Sequence, residues 1–167
     1  LSRTSISTTV STLTDIDASP VIDRGRVYAV GKGGRMASYE LVTGERIWEL
    51  NIGGIATPTV AGEWVFVLTD DAKLMAQEMY QAFGYGAGLR GVARSTGKTR
   101  WISQVGRYRN EEKKKNPIRW TGPILAGGRL IIASSEGEVM EAQLTDGSTS
   151  LITKLDNGVS LPPVVAN

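Results

Sequence analysis

The chain has 167 residues, 41% of them hydrophobic, enough to bury a core as one domain of ordinary size. It contains no cysteine and no histidine, which excludes Cys/His zinc sites, thiol nucleophiles and any triad built on imidazole. Nineteen basic against 17 acidic residues leave a net charge of +2; the signs are interspersed, no extended basic stripe stands out, and no nucleic acid partner is expected.

Residues 1–14 are rich in Ser and Thr and read as a loop or as an outer strand of a preceding unit. They form neither a signal peptide nor a lipid-attachment motif, and no apolar run approaches the roughly 20 residues that span a bilayer. The expectation is a soluble segment that starts in mid-protein. Asp15-Ile16-Asp17 then leads into the first of three segments that superimpose at fixed offsets.

Each segment opens on a proline (Pro20, Pro58, Pro123) and reaches a second apolar run seven residues later: Val27–Val30, Val65–Leu68 and Leu130–Ala133. A turn rich in Gly, Asp and Ser follows (Gly31 to Gly34, Thr69 to Asp71, Ser134 to Gly137), then a third run. A second turn, Thr43-Gly44, Thr96-Gly97 or Asp146-Gly147, stands four positions before a large apolar residue, Trp48, Trp101 or Leu151. A fourth copy opens at Pro163. Four short strands joined by glycine turns make one antiparallel blade, and repeats of about 40 residues built this way mark propellers. The expected architecture is therefore all-β: a partial β-propeller of about three to four blades, over residues 18–50, 56–104 and 119–154, with a further blade starting at 160–167.

Two departures break the register. From proline to turn glycine there are 24 positions in the first and third segments but 39 in the second. The 15 extra residues, Gln77 to Gly91, are expected to interrupt strand three between Ala76 and Val92. They read as a surface excursion turned back by Gly84, Gly86, Gly88 and Gly91, as a segment whose Met79, Tyr80, Phe83 and Tyr85 pack on a partner or cover an open edge, or as an engineered or aberrant insertion. Between the second and third segments, Arg107 to Lys115 reads as a charged, solvated linker, with nucleic-acid or anionic-lipid contact as the sharper alternative. An arc of three blades leaves its terminal faces open, so the chain is expected to be part of a longer propeller or to close by pairing with a further chain, self-association included.

The recurrence Thr43-Gly44 with Trp48 and Thr96-Gly97 with Trp101 resembles the PQQ-like tryptophan-docking repeat. Trp48 and Trp101 read as staples between blades, with ligand stacking as the alternative. Quinoprotein dehydrogenases share this repeat but place adjacent cysteines beside their cofactor, and this chain has none; Asp70-Asp71 and Glu111-Glu112 fall in turns and in the linker. A closer resemblance runs through Leu13–Val21, Gly25–Ala29, Leu41–Trp48 and Gly158–Asn167. These segments are similar to the C-terminal part of the BamB family, the outer-membrane lipoproteins of the bacterial barrel-assembly machinery. The resemblance implies an eight-bladed propeller on the periplasmic side of the outer membrane, its lipid anchor upstream of this chain. It also implies no catalysis and no cofactor, and as partners the periplasmic domains of BamA and nascent outer-membrane proteins. The alternatives are a generic PQQ-like interaction module with a different partner, or the remnant of a quinoprotein dehydrogenase. The family's Asp-x-Asp element falls on Asp15 and Asp17, which the resemblance marks as partner-binding; by their own position before a strand they read equally as acceptors of local backbone hydrogen bonds in an Asx turn.

Overall fold

A computed structural model describes residues 16–78 and 98–165 of the chain. Among these residues there are β-strands and no helix. Three antiparallel four-stranded sheets follow one another along the chain. The first comprises β1 (Val21–Asp23), β2 (Arg26–Gly31), β3 (Arg35–Glu40) and β4 (Arg46–Leu50); the second β5 (Thr59–Ala61), β6 (Trp64–Leu68), β7 (Lys73–Glu78) and β8 (Thr99–Gln104). A two-stranded hairpin, β9 (Tyr108–Asn110) and β10 (Lys115–Pro117), precedes the third sheet of β11 (Trp120–Ala126), β12 (Arg129–Ser134), β13 (Glu138–Gln143) and β14 (Thr149–Lys154). Each sheet is one propeller blade, and the three form an arc rather than a closed ring.

The second strand of the middle blade reads as a continuous apolar run because both of its faces are covered. In β6, Val65 and Val67 pack on the first blade beside Tyr28, Val30, Met36 and Trp48. Their neighbours Phe66 and Leu68 point the other way, into clusters with Leu130 and Ile132 of the third blade. The core is thus two apolar layers, one at each junction. β5 meets both β1 and β11, which puts the first strands where the blades converge.

At the second junction β8 caps the turn that links β13 to β14. Trp101 Nε1 donates to Leu144 O at 3.0 Å, Arg100 Nε to Thr145 O at 3.2 Å, and Ser103 Oγ to Gly147 O. These turn carbonyls lie beyond the ladder, and the preceding blade supplies their donors. The indole is buried, tilted at 36° to the Phe66 ring with centroids 5.9 Å apart, a geometry that adds to area burial. Beneath it, Gly147 has φ +73°, and a Cβ there would stand 2.3 Å from Trp101 Cε3. Trp48 is buried in the same position of the first blade, its ring 6.0 Å from that of Tyr28.

Several expectations are corrected. Strand three of the second blade is not interrupted. β7 has the same six residues as β3 and β13, and Gln77 and Glu78 pair with Val65 and Trp64. The extra length therefore falls after Glu78, in the connection to β8, where no ladder bonds are lost. Met79 to Gly91 lie outside the described residues. The charged linker is a hairpin, held where Glu111 accepts the N–H groups of Arg107 and Tyr108. Where a further blade is expected to open, residues 161–165 carry no strand among the described residues, and Pro163 is half-buried. Leu151, at the tryptophan position, lies in β14 but is 57% exposed.

Replacing Trp101 by Ala removes the buried ring and strands the Leu144 carbonyl, so urea unfolding is expected to show a loss of about 3–5 kcal/mol. Trp101→Phe, which keeps a ring and loses the donor, should lose about 1–3 kcal/mol. The two turn glycines separate conformation from contact. Gly44 has φ +70° and no described residue within 4 Å of where a Cβ would stand, so Gly44→Ala should cost only the left-handed penalty of about 1–2 kcal/mol. Gly147→Ala, which also drives a methyl into Trp101, should cost clearly more in the same assay.

Candidate partner-binding site

The connections between blades and the turns between second and third strands gather on one rim. The Gly53-Gly54 connection stitches the first two blades: Gly54 N donates to Gly31 O at 3.3 Å, and Asp70 N donates to Gly53 O at 3.1 Å. Val105 N repeats this on Ala72 O at 3.0 Å, and Ser135 N on Arg119 O at 2.8 Å. The fit at the first junction depends on glycine, since a Cβ on Gly53 would lie 2.8 Å from Gly34 Cα and one on Gly54 2.7 Å from Leu68 O.

Asp17 belongs to this rim. It enters β1, which runs antiparallel to β2, so its end of β1 lies beside Gly31 and the turn after it. Asp17 is exposed, while the next residue, Ala18, is buried against the first-junction core. The buried alanine anchors the segment and leaves the carboxylate to solvent. Asp15 lies outside the described residues. Trp48 and Trp101 are placed between blades, and neither lies on the rim.

Sequence reading missed a cleft of about 370 Å³ at the first junction, lined by Lys32, Gly34, Gly53, Asp70, Asp71 and Lys73 among others. Its two carboxylates differ. Burial raises the Asp70 pKa above the usual 3.8, against the pull of Lys32 and with help from the neighbouring charge of Asp71. Burial acts upward on Asp71 too, but hydrogen bonds from Lys73 and Thr69 outweigh it and hold the group below 3.8. The Lys73 Nζ to Asp71 Oδ2 distance is 2.6 Å, and Thr69 Oγ1 lies 2.5 Å from Asp71 Oδ1 while accepting from Lys73 N at 3.0 Å. The doublet Gly53-Gly54 was the available signal: paired glycines ahead of a strand mark a close backbone approach.

The β9–β10 hairpin rises from the same rim. Trp120 Nε1 donates to Gly106 O at 2.7 Å and Ile118 N to Arg107 O at 2.8 Å, fixing its base, and Arg109 pairs with Glu136 of the third blade. The rim so carries both signs over the first two blades, Asp17, Asp70 and Asp71 with Lys32 and Lys73, and an excess of bases between the second and third.

Comparison with known proteins finds likenesses in sequence and in fold. The sequence profile of the family described as outer membrane protein assembly factor BamB matches residues 1–81. BamB of Escherichia coli strain K12 is 24% identical over 168 aligned residues, covering all of this chain and 37% of the relative. The chain thus spans little more than a third of that relative's length. Among solved structures, BamB from Moraxella catarrhalis superposes with a TM-score of 0.67 at 17% identity, over 90% of this chain and 38% of that one. The quinohemoprotein alcohol dehydrogenase of Comamonas testosteroni gives 0.60, also at 17% identity, over 85% and 22%. At such identities the structural likeness is one of fold.

The two cleft carboxylates are expected to affect stability with opposite signs. Asp71, lowered when folded, contributes stability above pH 3.8 that is lost as pH falls through its folded value; Asp71→Asn should be less stable than the parent at pH 7, by no more than about 1 kcal/mol for so exposed a pair, with the gap closing as pH falls below 3.8. Asp70, raised when folded, opposes folding once ionised. Asp70→Asn should therefore match the parent below pH 3.8 and exceed it at pH 7 in the same denaturant titrations.

Proposed function

This chain is BamB-like in sequence and in fold, and on that premise we propose that it is a non-catalytic scaffold of the outer-membrane protein assembly machinery, acting on the periplasmic side of that membrane and binding the periplasmic domains of BamA. The observation that carries the reading is the alignment with E. coli BamB over the whole of this chain, across blades and connections alike. The relatives are named assembly factors, not enzymes, and the likeness to alcohol dehydrogenases extends to the fold alone.

The contact proposed is the Asp-x-Asp element, Asp15 and Asp17. Asp17 supports it by being exposed on a rim segment pinned through Ala18. Carboxylates so held can receive a partner arginine through two parallel hydrogen bonds, which fixes orientation as well as charge. Trp48 and Trp101 take the structural role of docking one blade on the next, and their burial supports that over ligand stacking.

A titration of the chain against the periplasmic domains of BamA tests the reading. Saturable binding is expected, weakened about tenfold or more in the Asp15→Arg, Asp17→Arg variant at equal salt. A folded parent that does not bind would overturn the partner; equal affinities of parent and variant would remove the contact from this element.

A further inference from the structure

We propose that the β9–β10 hairpin is a docking site for an anionic lipid surface, whose headgroup phosphates its lysines engage. Residues 107–119 carry six cations, Arg107, Arg109, Lys113, Lys114, Lys115 and Arg119, against two carboxylates, Glu111 and Glu112. Folding sorts these charges. Glu111, itself exposed, accepts the backbone N–H groups of Tyr108 and Arg107, which hold its pKa below the ordinary carboxylate value. Arg109 is taken by Glu136. The other five cations are exposed, and none forms an ion pair with a described residue.

The hairpin is a built element. Lys113 N donates to Asn110 Oδ1 at 2.8 Å and Lys114 N to Glu111 O at 3.4 Å, closing the tip. Lys114 has φ +49° and Asn116 φ +56°. A lysine in the left-handed region costs about 1–2 kcal/mol that glycine would not. The tip thus presents a lysine where the turn alone favours another residue, and backbone strain of this kind accumulates where a side chain has a task.

The side-chain chemistry selects the class of partner. A built carboxylate or phosphate pocket uses arginine, whose planar fork reads two oxygens at once; three successive lysines at a convex tip are point charges on flexible stems and demand no fixed geometry. A surface of mobile anionic headgroups meets that description, and four to eight clustered cations are the usual size of such a site. With Asn110, Glu111 and Glu112 beside the lysines, the tip has no apolar residue to insert, so attachment is electrostatic and reversible. The inference does not rest on the assembly-scaffold reading, since it requires only lipid.

Cosedimentation of the whole chain with phosphatidylglycerol-containing vesicles, with pure phosphatidylcholine vesicles alongside, tests it. Binding to the anionic vesicles alone is expected. It should weaken on the order of 10²-fold in the Lys113→Gln, Lys114→Gln, Lys115→Gln variant, at about 1 kcal/mol per lysine, and persist when the same three residues are arginine. It should also vanish as salt rises from about 0.1 M to about 1 M, where the Debye length shrinks from about 10 Å to about 3 Å; this arm needs no variant and decides the matter if the glutamine form does not fold. Absence of binding to anionic vesicles, or equal binding by a folded glutamine variant, overturns the proposal. So does competition by millimolar inorganic phosphate at constant ionic strength, which would mark a discrete anion pocket, or capture of duplex DNA without capture of vesicles, which would mark a nucleic-acid site.

Discussion

The junction of the second and third blades depends on Trp101 of one lying over Gly147 of the next. A four-stranded sheet of this kind cannot bury both faces alone, and its central strand is apolar on both. The sheets therefore gain stability only when they are held at contact distance across their whole width. Inner strands converge unaided near the axis, but outer strands splay, and the gap between them is where an indole fits. Trp101 fills it, capping a backbone carbonyl in the same move, and the missing Cβ of Gly147 lets the ring settle against the turn. Blade stability is then largely a property of junctions.

The rim inherits its precision from those junctions and its chemical freedom from solvent. Backbone bonds through Gly53, Val105 and Ser135 lock each connection to a blade, so charged side chains rooted there are positioned without taking part in the core. That division places function on connections and stability on strands.

The blade pattern was legible in the sequence because it rests on spacing. Proline, glycine turn and tryptophan recur at fixed intervals, and each has a local physical reason. What was not legible depended on contacts between blades. Gly147 could be assigned to a turn from its neighbours Asp146 and Ser148, but nothing in that turn says that an indole lies against it. The Asp70 cleft arises from two connections that approach one another in space while standing far apart in the chain. The position of the insertion was misread because matching the flanks to the other repeats let strand three resume at Val92, whereas the ladder to β6 already runs through Gln77 and Glu78. For the hairpin, charge density argued for solvation, and solvated it is. Its order comes from Glu111 folding back on the backbone, an interaction that composition does not express. Asp17 was singled out through resemblance and not through chemistry, since an exposed carboxylate before a strand has many uses.

The docking of tryptophan on glycine turn has a direction. At the second junction one blade offers an aromatic knob, Trp101 in its last strand, and the next a socket, the Gly147 turn just before its last strand, so the two faces in contact are unlike. Such a contact is heterologous: it cannot be satisfied by a two-fold axis, and its repetition generates rotation in one sense only, ending in a ring if the angle closes and in an open helix if it does not. The strength of successive junctions is also graded by the knob. Where Trp48 and Trp101 bring large buried rings, the third blade brings Leu151, a smaller group with no hydrogen to donate, so any blade seated beyond it would be held by less and released first.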